Sequence, residues 1–242
     1  MPGIPEVKAG DALAAIIAGA AKAARTPVRP RDIAVVAQKV ISKAEGRTVR
    51  LEDVTPGPEA LRVAAEAGRD PRLVEVVLRQ SKRIVRIGRG VVIVETHGGL
   101  ICANAGVDSS NVPGKDVVTL LPEDCDASAR KIRDGLEQAA GGPVAVIVSD
   151  SFGRPWREGS VNVAIGVAGM KPLRDQRGEE DGYGHILRVT VVSVADEVAS
   201  AAQLVIGEVH GTPAAVVRGV DWEESEEGAG ALIRAASMDL FR

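Results

Sequence analysis

Apolar and polar positions alternate along this chain in patterns that predict helices and strands in turn. Helical periodicity predicts helices over residues 11–25, 58–67, 122–140 and 196–205, a further helix that begins at Pro71, and a final helix after the acidic residues 223–230. Short apolar runs predict strands over residues 33–40, 84–87, 91–95, 100–104, 117–121, 144–148, 161–167, 187–194 and 214–217. This mixture of hairpins and crossovers favours an α+β or irregular α/β fold with mixed β-sheets and flanking helices.

Several local signals sharpen these boundaries. Asp11 and Asp70 stand where N-caps are expected, and Pro71 occupies the first helical position of its segment. Residues 144–148 form a continuous apolar run, which is typical of a strand buried on both faces. Residues 42–47 are polar and predict a turn at the exit of the first strand.

Composition narrows the class of protein. A chain of 242 residues can bury one sizeable core, and we expect a single domain over residues 1–242 or two intertwined lobes within it. The net charge of −3 and the aromatic content of 2% offer neither a basic footprint nor stacking platforms for nucleic acid. No apolar run is long enough to span a membrane, and two unpaired cysteines suit a reducing, cytoplasmic setting.

Two acidic residues follow strand-like runs directly and are the strongest chemical signal. Asp108 lies in the stretch 102–111 and Asp150 in the stretch 148–157, each beside hydroxyl-bearing residues. A carboxylate at the end of a buried strand needs a partner, and a divalent cation is one. Asx-type turns that cap the strands are the alternative for each. Together the two stretches predict a shared metal site that binds phosphates.

Three further stretches carry candidate ligand contacts. Residues 206–214 place a Glu and a His between glycines, which suits either a phosphate-binding loop or a helix C-cap. Lys43 and Arg47 are candidate phosphate contacts or members of a solvated turn. Arg154 and Arg157 follow Asp150 closely and are candidates for binding an anionic substrate.

Common nucleotide and hydrolase motifs are absent from the sequence. It contains no GxxxxGK[ST] loop, no GxGxxG after a strand, no GxSxG elbow and no HExxH pair. Any nucleotide is therefore held by a less common scaffold.

Read together, these stretches resemble the family of coenzyme F420-0:L-glutamate ligases, which extend a deazaflavin coenzyme. The matching segments run in family order over nearly the whole chain and lie at residues 3–5, 40–47, 104–111, 149–154, 195–197, 207–208 and 213–219. The resemblance implies an enzyme of coenzyme F420 biosynthesis that joins L-glutamate to F420-0 through an acyl phosphate. It also implies GTP as co-substrate, Mg²⁺ or Mn²⁺ as cofactor, K⁺ as a further candidate ion, and an intertwined homodimer.

The resemblance carries family site residues onto this sequence. The implied metal ligands are Asp108, Asp150, Ser151 and Glu208. The implied GTP contacts are Ile4, Pro5, Glu6, Val7, Gln38, Ser42, Lys43, Asn111, Ile206, Gly207, Val209, His210, Gly211, Thr212 and Pro213. Hard oxygen ligands of this kind are the ones that Mg²⁺ and Mn²⁺ prefer.

Two other readings of the sequence stay open. The chain could be the ligase half of a longer protein with a nitroreductase-like C-terminal domain, or a non-catalytic regulator that binds nucleotide and metal. In the leading reading the partners are small molecules (GTP, L-glutamate and the deazaflavin precursor) rather than nucleic acid or membrane. A homodimer is also favoured because hairpins leave sheet edges that a two-fold partner can cover.

Overall fold

The computed structural model of the protein describes residues 1–112, 114–207 and 211–240. Its helices are α1 (Leu13–Ala23), α2 (Gln38–Ala44), α3 (Pro58–Ala67), α4 (Pro71–Arg79), α5 (Cys125–Ala140) and α6 (Val194–Ile206). Its strands are β1 (Ile33–Ala37), β2 (Thr48–Arg50), β3 (Ser81–Gly88), β4 (Val91–Thr96), β5 (Ile101–Ala103), β6 (Val117–Thr119), β7 (Ala145–Arg154), β8 (Arg157–Ala168), β9 (Arg174–Asp175), β10 (Val191–Val192) and β11 (Ala214–Val217). The architecture is mixed α/β, as the alternation of patterns predicted.

A four-stranded sheet in the order β11-β1-β7-β8 forms the centre of the fold. Strand β1 runs parallel to β7 and antiparallel to β11, and β7 forms an antiparallel hairpin with β8. The residues from Ile33 to Val36 are fully buried, which explains why β1 reads as an unbroken apolar run.

Helices cover both faces of this sheet. Ile17 of α1 and Leu136 of α5 pack with Val36 on one face. Val198 of α6 packs with Ile147 of β7 on the other face. Successive residues of a strand point to opposite faces, so β1 and β7 each contribute to both hydrophobic clusters.

A third hydrophobic cluster lies apart from the central sheet. Helices α3 and α4 pack there against the antiparallel sheet β3-β4-β5 and the pair β2-β6. The predicted N-cap is confirmed, because the Asp70 carboxylate accepts a hydrogen bond of 2.8 Å from the backbone N–H of Arg72. The predicted bounds of α3 and β11 are confirmed to the residue.

The first predicted strand was wrong at its carboxyl end. β1 stops at Ala37, and α2 occupies residues that the pattern assigned to a strand and a turn. The β-branched pair Val40 and Ile41 suggested a continuing strand, but Ile41 instead packs into the cluster beneath α1 as part of a helix. Tertiary packing has overridden local propensity here.

Other predictions also fail locally. Only Val191–Val192 of the predicted strand 187–194 is a strand, and the predicted final helix is replaced by short 3-10 segments at Ala229–Leu232 and Ala236–Met238. Asp11 does not cap α1, because its carboxylate accepts from the backbone N–H of Lys8.

The structure bears on the two expectations about cysteines and about membrane-spanning segments. Cys102 and Cys125 are both free thiols, and burial raises the pKa of each to about 12. No helix in the described part of the chain is long and apolar enough to cross a membrane. The cytoplasmic location stays a prediction.

The β7–β8 hairpin carries a bulge where it passes from the core towards the polar end of β7. Val148 pairs with Gly166, but the next residue, Ser149, pairs with Ala164, so Ile165 is the extra residue on β8. Bulges of this kind bend a strand and re-aim the side chains beyond them. The N-terminus of α5 lies against this bend, and a Cβ added at Gly166 would stand 2.4 Å from the carbonyl oxygen of Cys125.

We therefore expect Gly166→Ala to push α5 away from β8 and lower the free energy of unfolding by about 1–3 kcal/mol. Gly153→Ala, in the same hairpin, is the matched control because a Cβ there has no neighbour within 4 Å. Urea denaturation of both variants measures the difference, and equal stabilities would show that α5 and β8 do not require this close approach.

Candidate active site

A cavity of about 590 Å³ opens where strand β1 ends beside the middle of strand β7. The two strands run parallel with Ala37 opposite Ser149, and both of these residues line the cavity. The carboxyl end of a parallel strand is the usual ligand-binding edge of an open α/β sheet, and β1 ends here while β7 continues to Arg154. The volume is in the range of small-molecule sites.

Stretches that are far apart in sequence meet around this cavity. The lining includes these residues that the sequence assigned to GTP: Ile4, Pro5, Glu6, Val7, Gln38, Lys43, Asn111, Ile206, Gly207, Gly211, Thr212 and Pro213. It also includes Asp108, Asp150 and Ser151, which the sequence assigned to a metal. The structure thus brings the predicted residues together, while their individual roles stay predictions.

A few predicted residues lie elsewhere. Ser42 is fully buried beneath the lining, where its hydroxyl donates a hydrogen bond of 2.9 Å to Oε1 of Gln38. Its position suits the support of Gln38 better than a direct ligand contact. Glu208, Val209 and His210 lie outside the described residues.

The Asp108 carboxylate is held by three hydrogen bonds. Its Oδ2 accepts from Nζ of Lys39 at 2.6 Å and from Oγ of Ser110 at 2.7 Å, and its Oδ1 accepts from the Ser110 backbone N–H at 2.8 Å. The last bond is an Asx turn, so the turn reading is confirmed at this residue. Burial alone would raise the pKa of Asp108, but these bonds together hold it below its ordinary value.

Unusual backbone geometry places Asp108 at the cavity. The preceding Asn104–Gly106 segment has positive φ at all three residues, including Ala105 at 55°. Non-glycine residues enter this region at a cost, which a functional site can require. Backbone hydrogen bonds of 3.1 and 2.8 Å between Asp108 and Thr119 then fix the next turn.

Asp150 lies within β7 and not in a turn, so the Asx-turn alternative does not apply at this position. Burial raises the pKa of Asp150 to about 6, and the nearby charge of Asp108 adds to that effect. The backbone N–H of Ser151, the Lys39 ammonium and the Gln38 side chain oppose it. The carboxylate is therefore only partly compensated by the protein.

This charge balance suits a bound cation. Two carboxylates near one another, with one ammonium bonded to Asp108, favour a further positive charge. Among the described residues no group of three His, Cys, Asp or Glu side chains is placed to hold a metal, and Glu208 is not among those residues. The donors on hand are Asp108, Asp150 and the Ser151 hydroxyl.

Lys39 is the main residue that the sequence analysis missed. It lines the cavity, and its side chain is only 20% exposed. The missed signal is helical spacing: because residues 38–44 form α2, Lys39 and Lys43 stand four residues apart on one helix face. Because residues 33–40 were predicted to form a strand, nothing in the sequence indicated that Lys39 and Lys43 share a helix face.

Lys43 links the first segment of the chain to α2. Its Nζ lies 2.6 Å from Oε1 of Glu6, and both residues line the cavity. The Lys43 side chain is 11% exposed, whereas that of Glu6 is 61% exposed, so the ammonium is the better buried partner. An anionic ligand could take the place of this exposed carboxylate.

The candidate arginines lie outside the cavity lining. Arg47 donates to the carbonyl oxygen of Leu121 at 3.1 Å and to Glu123 at 2.9 Å, beside a second cavity of about 570 Å³. Arg154 and Arg157 pair with one another at the tip of the β7–β8 hairpin. That tip is roughly 13 Å along the strand from Asp150, at about 3.3 Å per residue.

A polar pair on the opposite wall was also missed. Asn162 lies opposite Ser151 in the β7–β8 register, and Gln203 belongs to α6. Both line the cavity beside Ser149. Neither follows a motif, and only the pairing of β8 with β7 and the packing of α6 bring them to the site.

Comparisons of the amino-acid sequence with known proteins show which family the chain belongs to. Residues 3–219 match the family model described as F420-0:Gamma-glutamyl ligase. The chain belongs to this family. The sequence-based identification is therefore confirmed, and with it the expectation of an amide-bond-forming ligase.

The sequences of curated relatives align with this chain over most of their length. The chain is 46% identical to the coenzyme F420:L-glutamate ligase of Methanothermobacter thermautotrophicus over 99% of this chain and 96% of the relative. It is also 46% identical to the enzyme of that name from Methanopyrus kandleri, over 98% and 94% respectively. The counterpart from Methanocaldococcus jannaschii is 42% identical over 90% and 88%.

Proposed function

We propose that this protein joins L-glutamate to the deazaflavin precursor F420-0 in a reaction driven by GTP and assisted by a divalent metal ion. Membership of the F420-0:gamma-glutamyl ligase family supports the acceptor and the amide product. The observation that supports the nucleotide and metal part is the cavity where β1 ends beside β7. It collects three carboxylates, two lysines and glycine residues from distant parts of the chain.

The chemistry explains why a nucleotide is needed. A carboxylate does not react with an amine at neutral pH, because its leaving group would be oxide. We infer that an acceptor carboxylate oxygen attacks the γ-phosphorus of GTP, which forms an acyl phosphate and releases GDP. The glutamate amine then attacks the acyl carbon, loses a proton, and displaces phosphate. Such phosphoryl transfer depends mainly on positioning and charge stabilisation.

The chain's own residues supply much of that positioning in this proposal. Lys43 binds a phosphate oxygen in place of Glu6, from which it lies 2.6 Å away in the structure. Lys39, bonded to Asp108 at 2.6 Å, keeps the carboxylate oriented and adds positive charge beside the phosphates. Ile4, Pro5 and Ile206, which line the cavity, give apolar surface to the nucleotide.

The donor set fits a hard divalent cation such as Mg²⁺ or Mn²⁺. Asp108, Asp150 and the Ser151 hydroxyl would hold it, with Glu208 as a further candidate outside the described residues. The raised pKa of Asp150, about 6, is a sign of a carboxylate that a cation would stabilise. When bound, the cation neutralises charge on phosphate oxygens. K⁺ stays a further candidate ion.

The direct test combines the protein with GTP, Mg²⁺ or Mn²⁺, L-glutamate and F420-0. We expect glutamate-dependent GDP release and a product heavier by one glutamyl unit in the mass spectrum. Asp108→Asn and Asp150→Asn should each retain less than a tenth of the turnover, because charge stabilisation worth several kcal/mol is lost. Their melting temperatures in metal-free buffer should stay close to that of the parent protein.

Asp53→Asn is the matched control, since Asp53 is exposed and lies outside the cavity lining. It should keep full turnover. Substantial activity in both cavity variants would contradict a shared metal site. Nucleotide binding without turnover in the parent protein would favour the regulator reading.

Lys43 gives a second prediction. Lys43→Ala should raise the apparent KM for GTP at least several-fold and leave the KM for glutamate nearly unchanged, because the proposed partner of the ammonium is a phosphate. Steady-state kinetics with each substrate varied in turn measures both. An equal change in the two constants would return Lys43 to a structural role with Glu6.

We also propose that the protein is a homodimer. Large apolar side chains are exposed in the described residues, among them Trp156 (82%), Tyr183 (92%), Val189 (87%) and Leu204 (86%). We infer that a two-fold partner covers such side chains together with the open sheet edges. Light scattering at low micromolar concentration should give about twice the chain mass of 25.1 kDa. A mass near 25.1 kDa would make this prediction wrong.

Arg154 and Arg157 enter the proposal as candidate contacts for the anionic acceptor. They lie at the hairpin tip, with Arg154 at the end of β7, the strand that carries Asp150 and Ser151, and Arg157 at the start of β8. An extended acceptor whose carboxylate reaches the cavity could have its far end near this tip.

A further inference from the structure

Helix α6 is tied to the edge strand β8 by side-chain hydrogen bonds. Oε1 of Gln203 accepts from the backbone N–H of Asn162 at 2.8 Å, and the Ser200 hydroxyl donates to the carbonyl oxygen of the same residue at 2.8 Å. One turn earlier, Asp196 accepts from the backbone N–H of Ala164 at 2.8 Å. These bonds occupy backbone groups of β8 that an edge strand would otherwise leave unpaired.

The bond to Asn162 fixes the orientation of the Gln203 amide. A backbone N–H can only donate, so the group that faces it must be the carbonyl oxygen and not the nitrogen. Nε2 of Gln203 is therefore not the atom that faces the Asn162 N–H, and it donates no hydrogen bond to residues 1–112, 114–207 or 211–240. Because Gln203 lines the cavity, its two amide hydrogens are available to a ligand there.

The position of this donor indicates what it meets. Asn162, to which Gln203 is bonded, lies opposite Ser151 in the β7–β8 register, next to Asp150. The amide of Asn162 is itself engaged, because its Nδ2 donates to Oγ of Ser149 at 3.3 Å. Gln203 thus presents a neutral donor at the end of the cavity where the phosphates are proposed to lie.

We propose that Nε2 of Gln203 donates a hydrogen bond to a phosphate oxygen of the bound nucleoside triphosphate, which makes Gln203 a substrate-contacting residue of the ligase. This inference rests on the proposed use of GTP. A neutral donor at this place stabilises an anionic oxygen and leaves the charge balance around Asp150 unchanged. The same amide thereby closes the sheet edge and binds the ligand.

The two roles of Gln203 can be separated because the chain offers a matched control. Gln203→Met keeps the length of the side chain but removes both the tether to β8 and the donor. Ser200→Ala removes a tether to the same residue, Asn162, and Ser200 is not part of the cavity lining. Both variants should lower the melting temperature by similar small amounts.

Calorimetric titration with GTP and Mg²⁺, without acceptor or glutamate, measures the binding role. We expect Gln203→Met to raise the Kd for GTP by about ten- to a hundred-fold, the loss of one hydrogen bond to a charged group. Ser200→Ala should stay within about two-fold of the parent protein. Equal Kd values for Gln203→Met and the parent, or equal losses in both variants, would overturn the inference.

Gln203→Glu is the second variant, which tests the same contact if Gln203→Met does not fold. Its carboxylate still accepts from the Asn162 N–H, so its melting temperature should match that of the parent, while its GTP affinity should fall by at least ten-fold. Unchanged affinity in this variant would also overturn the inference. If the parent protein itself fails to bind GTP, the proposed function fails instead, and the two failures are distinguishable.

Discussion

The parallel pairing of β1 with β7 is the constraint on which the rest of the site depends. Val36 lies opposite Val148 and Ala37 opposite Ser149, so both strands leave the buried core at the same level. The chain then continues into α2 on one side and into Asp150 on the other. A slip of one residue would send every side chain of β7 to the opposite face, and it would bury the carboxylate against α6. The fully apolar interior of both strands makes this register unambiguous.

How far the fold follows from the sequence varies with the kind of signal. Helix α3 and strand β11 were predicted to the residue because Pro58 and Gly68, or Pro213, mark their ends independently of packing. Helix α2 was missed because its β-branched residues have no such marker before them. Whether they continue β1 or turn into a helix is decided by the sheet, and β1 has neighbours only as far as Ala37.

The site was predictable where a short motif carries several contacts and unpredictable where one residue acts alone. Asp108, Asp150 and Lys43 lie in segments that resemble the family, and all of them line the cavity. Lys39 lies one residue before the segment 40–47, which matches the family, and Gln203 lies in a largely apolar helix. Their positions follow from helical spacing and from strand pairing, which are properties of the assembled fold.

The edge formed by β8 and α6 shows why site and stability are coupled in this protein. Asp196, Ser200 and Gln203 cover backbone groups of β8 with side chains rather than with another strand. Side-chain partners leave the face of the strand open, and Asn162 can therefore line a cavity. A fifth strand in the same place would satisfy the backbone equally well, but its side chains would project above and below the sheet and leave no amide directed along the edge. A helix that offers side-chain donors and acceptors thus protects the sheet edge and also forms a wall of the candidate active site.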